Sequence, residues 1–339
     1  MSRESGRIEV VEQLRGIAAL SVAWFHLTNQ HGDWVTSSGT YGWLGVEAFF
    51  VISGFVIPLS LSADWQQKGN RAIPGFLLRR FIRIEPPYLL SVLVVVLLNT
   101  VASYAPSFQG QPNEVSFAQV LWHIAYLIPL TNYDWLQPVY WSLAFEFLFY
   151  LTVAIAIRIF ASNHGRLLIL GYAVFLCAIA LGFASSFLGL FGMGCLVFRA
   201  RMGLDRNAWA GFAIALTGAA MISTGDLAQA LVGLVTAGII FLPSWSQGLV
   251  SPLGRVLSKL GKISFSLYLL HVPIGGKIVN LGRRWLTSPE EHLLLSLVAL
   301  GASLLAATIF WRLVELPCLK AAAAIRSKQL LSSPAPATT

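Results

Sequence analysis

The chain has 339 residues, of which 56% are hydrophobic and only 11% are charged, and its mean hydropathy is +0.70. A soluble globular domain carries about 25% charged residues, so this composition excludes a soluble domain and predicts a protein embedded among membrane lipids. The net charge of +8 comes from short basic clusters between apolar runs, which is typical of membrane topology rather than of nucleic-acid binding.

Apolar runs that approach the length needed to cross a bilayer, about 20 residues, recur along the chain. The candidates are 11–30, 42–62, 84–103, 117–130, 138–160, 166–184, 186–200, 207–224, 226–244, 262–281 and 291–314. The fourth candidate is too short to span comfortably. The sequence therefore predicts an all-α, polytopic transmembrane bundle of about ten spanning helices.

The distribution of Lys and Arg favours ten spans with both termini in the cytoplasm. If 117–130 does not cross, all 23 Lys and Arg except Lys277, Arg283 and Arg284 lie on the cytoplasmic side. We therefore predict a transmembrane domain over 1–319, in which 104–137 is an outer loop with an interfacial or re-entrant segment. Residues 320–339 are predicted to be a disordered cytoplasmic tail.

Ionisable residues within apolar runs are costly in a bilayer, so each of them is a candidate functional residue. Arg15 and His26 are eleven positions apart, which is about 20° past three helical turns, so they share one helix face. Glu47 and Glu146 fall in the outer halves of their runs, at a depth similar to that of His26. His271 falls nearer to mid-membrane.

A cationic rim is predicted at the cytoplasmic ends of the first and third runs, formed by Arg15, Arg79, Arg80 and Arg83. Acid/base groups in the outer half and a cationic inner rim suit an anionic cytoplasmic cofactor that reaches partway through the membrane. Coenzyme A fits physically, because its phosphates favour arginine and its extended arm spans more than about 15 Å.

Five motifs stand in order along nearly the whole chain. They are an Arg-x10-His pair (Arg15 and His26), GVEAFFVISGF at 45–55, RRFIRIEPPY at 79–88, YWSLAFEFLFY at 140–150 and ISFSLYLLH at 263–271. Together they resemble the acyltransferase-3 family of integral membrane O-acyltransferases. The resemblance implies ten helices, a cytoplasmic acyl-CoA donor and an acceptor at the outer face. Acceptors in that family are commonly bacterial polysaccharide or lipopolysaccharide, and some members acylate macrolides or other small molecules.

The chain departs from the family pattern at two positions. Glu47 stands where the family commonly has Asp, and Phe147 follows Glu146 where many members have a second acidic residue. We therefore treat Glu146 as the sole acid of its motif. The resemblance covers the membrane domain alone, so we expect the transfer to be completed within that domain or by a partner.

The resemblance assigns three groups of site residues. The catalytic candidates are His26, Glu146 and Glu47; the candidates for donor binding are Arg15, Arg80 and Arg83; and additional candidates are His271, Ser53 and Trp141. Structural alternatives are open for each group. The histidines and glutamates would then be hydrogen-bonded within the bundle, the arginines would be topology anchors, and Ser53 and Trp141 would be packing residues.

The expected function is transfer of an acyl group, such as acetyl from acetyl-CoA, to a hydroxyl of a cell-surface glycan or lipid-linked saccharide at the bacterial inner membrane. His26 either deprotonates the acceptor or takes the acyl group itself, and both routes are open. We expect no permanently bound cofactor and no metal, because no metal-binding motif is present. The alternatives are O-acylation of a small molecule such as a macrolide, a transporter with midplane ionisable residues, and a non-catalytic sensor or assembly subunit.

Overall fold

The computed structural model describes residues 8–104, 115–160, 165–242 and 248–331, and these ranges contain helices and no β-strand. The predicted all-α class is therefore confirmed. The chain divides into two compact units. Unit 1 comprises Met1–Phe25, Gly39–Gln67 and Thr152–Ser264, and unit 2 comprises His26–Ser38, Lys68–Leu151 and Phe265–Thr339.

Fifteen α-helices lie within the described ranges. They are α1 Glu9–Thr28, α2 Trp34–Gly39, α3 Gly45–Lys68, α4 Ala72–Ser103, α5 Phe117–Ile124, α6 Trp141–Phe160, α7 Gly165–Ala180, α8 Ser186–Arg201, α9 Asn207–Ser223, α10 Leu227–Phe241, α11 Pro252–Lys262, α12 Ser264–Leu270, α13 Lys277–Gly282, α14 Pro289–Phe310 and α15 Leu316–Leu331. π-Helical turns join α12 to α13 at His271–Gly276 and α14 to α15 at Trp311–Glu315.

Three helical stretches in the described part of the chain are long and apolar enough to cross a membrane. They are Trp34–Ser103, Trp141–Ile159 and Pro289–Ile325, and shorter apolar helices cover Leu170–Ala180, Asn207–Ser223 and Leu227–Phe241. These stretches fit a membrane protein. The number of ten spans and the cytoplasmic position of both termini stay predictions.

Unit 1 contains a close approach between α3 and α8. A Cβ atom added at Gly54 would collide with the carbonyl oxygen of Phe191, and one at Gly194 would collide with that of Val51. The two backbones therefore touch through glycines, in the way that small residues let membrane helices approach each other. Elsewhere in unit 1, the Gln13 side chain links α1 to the chain before α11, since its amide donates to the Leu249 carbonyl (3.1 Å) and accepts from the Leu249 N–H (2.8 Å).

In unit 2, α4 continues through Pro86 and Pro87. Proline has no N–H, so the carbonyls of Ile82 and Arg83 lose their usual helical partners at this level. α5 packs against α4 just beyond the two prolines. There the Tyr88 hydroxyl of α4 lies 3.0 Å from Nδ1 of His123, a buried histidine of α5.

A second packing region of unit 2 joins the end of α1 to α14. Leu27, Val279, Leu295 and Ala299 form a buried apolar cluster there. The start of α14 is fixed by a capping box, in which the Ser288 side chain accepts from the N–H of the residue three positions later. This arrangement holds the chain just after His26 against the helices that follow the π-helical turn at 271–276.

Several predicted boundaries differ from the structure. α4 begins at Ala72, twelve residues before the predicted apolar run, because arginine is a good helix former although it is not apolar. α15 reaches Leu331, so 320–331 is helical rather than disordered, as its run of alanines favours. Residues 105–114 of the predicted outer loop and 332–339 of the predicted tail lie outside the described residues. The segment 117–130 forms α5 and a short 3₁₀ turn at Ile128–Leu130.

Candidate active site

A cavity of about 390 Å³ lies between α4 and α6 within unit 2. The two helices face each other over two of the five motifs, RRFIRIEPPY and YWSLAFEFLFY. The lining residues are Leu77, Leu78, Arg80, Phe81, Ile84, Glu85, Tyr126, Leu143, Glu146, Phe147, Tyr150 and Leu151. The cavity is therefore mostly apolar, with a few polar groups placed in its wall, which is the usual composition of a small-molecule site.

Arg80 is the cationic group of this cavity. Its guanidinium carbon lies 5.4 Å from the centre of the Phe76 ring and 5.2 Å from that of the Tyr150 ring. Contact with two aromatic rings holds a planar cation in position. The predicted donor-binding residue therefore lies in a preformed, aromatic-walled position, and Arg83 follows it half-buried on the same helix.

Glu146 lines the same cavity from α6. The Tyr150 hydroxyl, one helical turn later, donates to its Oε1 at 2.5 Å, and Glu146 itself is half-buried. The structure thus brings Arg80 and Glu146, which were predicted for different roles, to one cavity. Tyr150 contacts both of them.

His26 and His271 are neighbours in unit 2, with ring centres 5.2 Å apart and planes inclined at 47°. His271 is fully buried, and its Nδ1 lies 2.9 Å from the carbonyl oxygen of Leu267. Because a carbonyl only accepts, Nδ1 carries the proton, which leaves Nε2 as an acceptor. Nε2 is buried and has no hydrogen-bond partner. The first residue of the π-helical turn therefore offers a lone pair next to the predicted catalytic histidine.

The remaining predicted site residues are placed as follows. Arg15, on α1, and Ser53, on α3, are half-buried and belong to unit 1. Glu47 also belongs to unit 1, where it is 2% exposed in the first turn of α3, and its Oε2 is buried without a hydrogen-bond partner. Trp141 begins α6 in unit 2. Its ring packs edge to face against the Phe145 ring, with 5.8 Å between the ring centres.

A family model described as an acyltransferase domain matches residues 8–312, which is most of the chain. The chain belongs to the acyltransferase-3 family. The membership accounts for the five motifs seen in the sequence, and it makes this membrane protein an acyltransferase.

Relatives of this acyltransferase match shorter stretches. The chain is 28% identical over 154 residues to the O-acetyltransferase OatA of Staphylococcus aureus strain NCTC 8325, and the match covers 43% of this chain and 24% of OatA. The same protein from strain COL matches equally. Another Staphylococcus aureus protein, from strain COL, is 35% identical over 85 residues, which is 25% of this chain and 13% of that protein. The chain thus spans less than a quarter of the length of these relatives. No solved structure matches the acyltransferase.

Sequence reasoning missed three polar residues of the cavity wall, namely Glu85, Tyr126 and Tyr150. Glu85 stands in RRFIRIEPPY and Tyr150 in YWSLAFEFLFY, so their place in a motif is the signal that identifies them. Tyr126 lies in the predicted outer loop and gave no signal, because only the folded chain brings it to α4. Over the residues described, no group of three or more His, Cys, Asp or Glu is arranged to hold a metal.

Proposed function

We propose that this acyltransferase moves an acetyl or other acyl group from cytoplasmic acyl-CoA to a hydroxyl of a cell-surface glycan or lipid-linked saccharide. The observation that carries the proposal is the cavity between α4 and α6, which combines Arg80 and Glu146 with an apolar wall. The names of the OatA relatives, which are O-acetyltransferases, support transfer to oxygen.

The donor is assigned to the arginines. Arg80, whose planar cation lies over two aromatic rings, and Arg83, on the next turn of α4, suit the phosphates of coenzyme A. Arg15 on α1 is the third candidate. The apolar wall of the cavity suits the thioester arm, which carries few charges.

The chemistry is assigned to His26. Its ring takes the proton of the acceptor hydroxyl as the oxygen attacks the thioester carbonyl, the carbon–sulfur bond breaks, and the thiol of coenzyme A leaves with a proton. In the second route, His26 first takes the acyl group and passes it to the acceptor. Glu146 and Glu47 stay candidates for orienting groups or for binding acceptor hydroxyls.

His271 is assigned a positioning role in this proposal. Its Nδ1–H donates to the Leu267 carbonyl, so Nε2 can accept an N–H from the neighbouring His26 ring. Such a bond would fix the tautomer of His26 and turn its other nitrogen, as a lone pair, toward the substrate.

The protein is proposed to span the bacterial inner membrane ten times, with both termini in the cytoplasm. This orientation places the predicted arginine rim on the side where acyl-CoA is made. Protease protection of tags at the two termini in sealed vesicles would test it.

The central experiment uses the full chain in nanodiscs with radiolabelled acetyl-CoA and membrane saccharides as acceptor. We expect wild-type transfer, and we expect His26→Ala to lose about 10²–10⁴-fold in rate. His31→Gln is the matched control, since His31 contacts Ser296 and stands in none of the five motifs. Full transfer by His26→Ala would exclude this mechanism, and flux of a substrate without acyl-CoA would favour a transporter. Mass spectrometry of surface glycans from a deletion strain would identify the acceptor.

A further inference from the structure

The end of α5 places a tyrosine where helices usually have glycine. The N–H of Leu127 bonds the Trp122 carbonyl (3.0 Å) and the N–H of Tyr126 bonds the His123 carbonyl (3.1 Å), which is a Schellman motif. The residue at the turn of this motif needs a left-handed backbone, and Tyr126 has φ 57°. A non-glycine residue adopts this conformation at a cost in free energy, so contacts of its side chain must offset that cost.

The side chain of Tyr126 is held on both faces. Its ring stacks on that of Tyr88 (5.0 Å between centres, 20° between planes) and on that of Phe147 (5.1 Å, 20°). At the end of the ring, its hydroxyl donates to Oε2 of Glu85 at 3.0 Å. Tyr126 is therefore clamped so that its hydroxyl fixes the Glu85 carboxyl in the wall of the cavity.

The carboxyl group of Glu85 is only half satisfied. The residue is 4% exposed, and its second oxygen, Oε1, is buried without a hydrogen-bond partner. A buried polar atom without a partner costs free energy, and a ligand that supplies a donor recovers that cost. Since Glu85 lines the 390 Å³ cavity, a molecule in the cavity is the nearest source of such a donor.

The charges of the cavity indicate what kind of molecule fits. Arg80 in the wall disfavours a cationic group beside Glu85, and the carboxyls of Glu85 and Glu146 disfavour an anionic group at that position. A neutral O–H or N–H group satisfies Oε1 without such repulsion. The leucine, isoleucine and phenylalanine side chains that form most of the wall favour an apolar portion next to that group.

We propose that Glu85, held by Tyr126, forms a substrate subsite that binds a neutral O–H or N–H donor attached to an apolar segment. The inference rests on the proposed function, because its ligand is one of the two substrates. Two sources have this chemistry: the amide groups of the acyl-CoA arm, and the hydroxyls of a saccharide that carries a hydrocarbon chain. In this proposal Glu85 touches the substrate, and Tyr126 is a positioning residue.

The test measures binding rather than transfer, so that it is separate from the test of the proposed function. The full chain in nanodiscs is dialysed against radiolabelled acetyl-CoA and, separately, radiolabelled octyl glucoside, which joins sugar hydroxyls to an apolar chain. Glu85→Gln keeps the shape of the side chain and places an NH₂ donor at one of the two carboxyl oxygen positions. We expect it to weaken one of the two probes about 10-fold or more, and Tyr126→Phe to weaken the same probe by a smaller factor.

Glu315→Gln is the matched control. Glu315 is another buried carboxylate of unit 2; it accepts a hydrogen bond from the Ser266 hydroxyl at 2.6 Å, and it does not line the cavity. This variant should bind both probes as the wild type does. Tyr126→Gly removes the backbone strain at the Schellman motif, but it also removes the ring and the hydroxyl that hold Glu85. We therefore expect this variant to lose more probe affinity than thermal stability.

The two probes identify the source of the donor. Loss of acetyl-CoA affinity alone assigns the subsite to the amides of the acyl-CoA arm, and loss of octyl glucoside affinity alone assigns it to acceptor hydroxyls. Wild-type affinity of Glu85→Gln for both probes would overturn the proposal, as would an equal loss in Glu315→Gln or a wild-type protein that binds neither probe. Binding with an intact subsite but without transfer would instead contradict the proposed function.

Discussion

The buried histidines of unit 2 differ in how their ring nitrogens are partnered. In the region beside α4, His123 uses both nitrogens: Nδ1 lies 3.0 Å from the Tyr88 hydroxyl and Nε2 accepts from the N–H of Leu136 at 3.2 Å. At the start of α14, His292 also uses both nitrogens. In the region of the π-helical turn, His271 uses Nδ1 only, and Nε2 is buried without a partner.

This contrast separates a structural histidine from a candidate functional one. Most buried polar groups in proteins are hydrogen-bonded, so a ring with two partners needs no further explanation. A ring with one unused nitrogen, next to the predicted catalytic His26 (5.2 Å), does need one. In the sequence, His271 ends a motif and His123 lies in none, but only the folded chain shows how their ring nitrogens are partnered.

The largest expected effect comes from removing the unused nitrogen of His271. His271→Leu should lower kcat about 100-fold, because it removes the acceptor that is proposed to fix the tautomer of His26. His271→Gln, which keeps an acceptor near the position of Nε2, should recover part of the rate. His271→Asn, which keeps only the group near Nδ1, should not. Equal rates for the Gln and Asn variants would contradict the positioning role, and kcat against pH for each variant would separate it from a loss of folding.

The opposite result is expected at His123. His123→Leu leaves the N–H of Leu136 and the hydroxyl of Tyr88 without their partner, so it should lower the free energy of unfolding by about 1–3 kcal/mol. The rate per folded molecule should stay near that of the wild type. Thermal unfolding in detergent and active-site titration measure the two quantities, and a kcat loss as large as that of His271→Leu would remove the distinction between the two regions.

A smaller effect is expected at Arg80, whose cation is held by ring faces. Arg80→Lys keeps the charge but loses the planar group that stacks and binds phosphate with two N–H groups. The KM for acetyl-CoA should rise about 10-fold while kcat changes little. Arg199 of unit 1 is the matched contrast, since it is committed to Asp205 through two hydrogen bonds (2.6 and 2.8 Å). Arg199→Lys should leave this KM unchanged; an equal rise in both variants would point to a general loss of structure.

The smallest effect is expected at Asp33, between α1 and α2. The hydrogen bond from His292 Nδ1 (2.7 Å) lowers the pKa of the Asp33 carboxyl below its ordinary value. A lowered folded pKa means that Asp33 contributes stability above its ordinary pKa of about 3.9, and that this contribution is lost as the pH falls through the folded pKa. The difference in Tm between wild type and Asp33→Asn should therefore be present at neutral pH and disappear in acid. A difference that grew in acid would contradict this sign.

Much of the helical framework was predictable from hydropathy. The predicted runs 186–200 and 207–224 agree with α8 and α9 within about a residue, because their ends coincide with polar residues. The predicted run 262–281, by contrast, is divided by the π-helical turn at 271–276. Apolar residues occur equally in an α-helix and in a π-helical turn, so a count of apolar residues does not predict the π-helical turn.

The candidate site was predictable only in part. The motifs named Arg80, Glu146, His26 and His271, and the structure brings these together in two pairs. They did not name Tyr126, whose contact with α4 depends on the path of a loop. Which polar atom lacks a partner is also a property of the folded chain, since it depends on every neighbour at once.

The π-helical turn has a consequence for the register of the chain. A bond from residue i to i+5 takes in one residue more than the i to i+4 bond of an α-helix. Residues after Gly276 are therefore displaced by one position around the helix relative to an uninterrupted α-helix. Lys277, whose Nζ donates to Asn99 at 2.6 Å, depends on this displacement. Deleting one residue, such as Val272, would restore an even helix and rotate Lys277 by about 100° away from Asn99. The extra residue of the π-helical turn thus sets the rotation of α13 relative to α12.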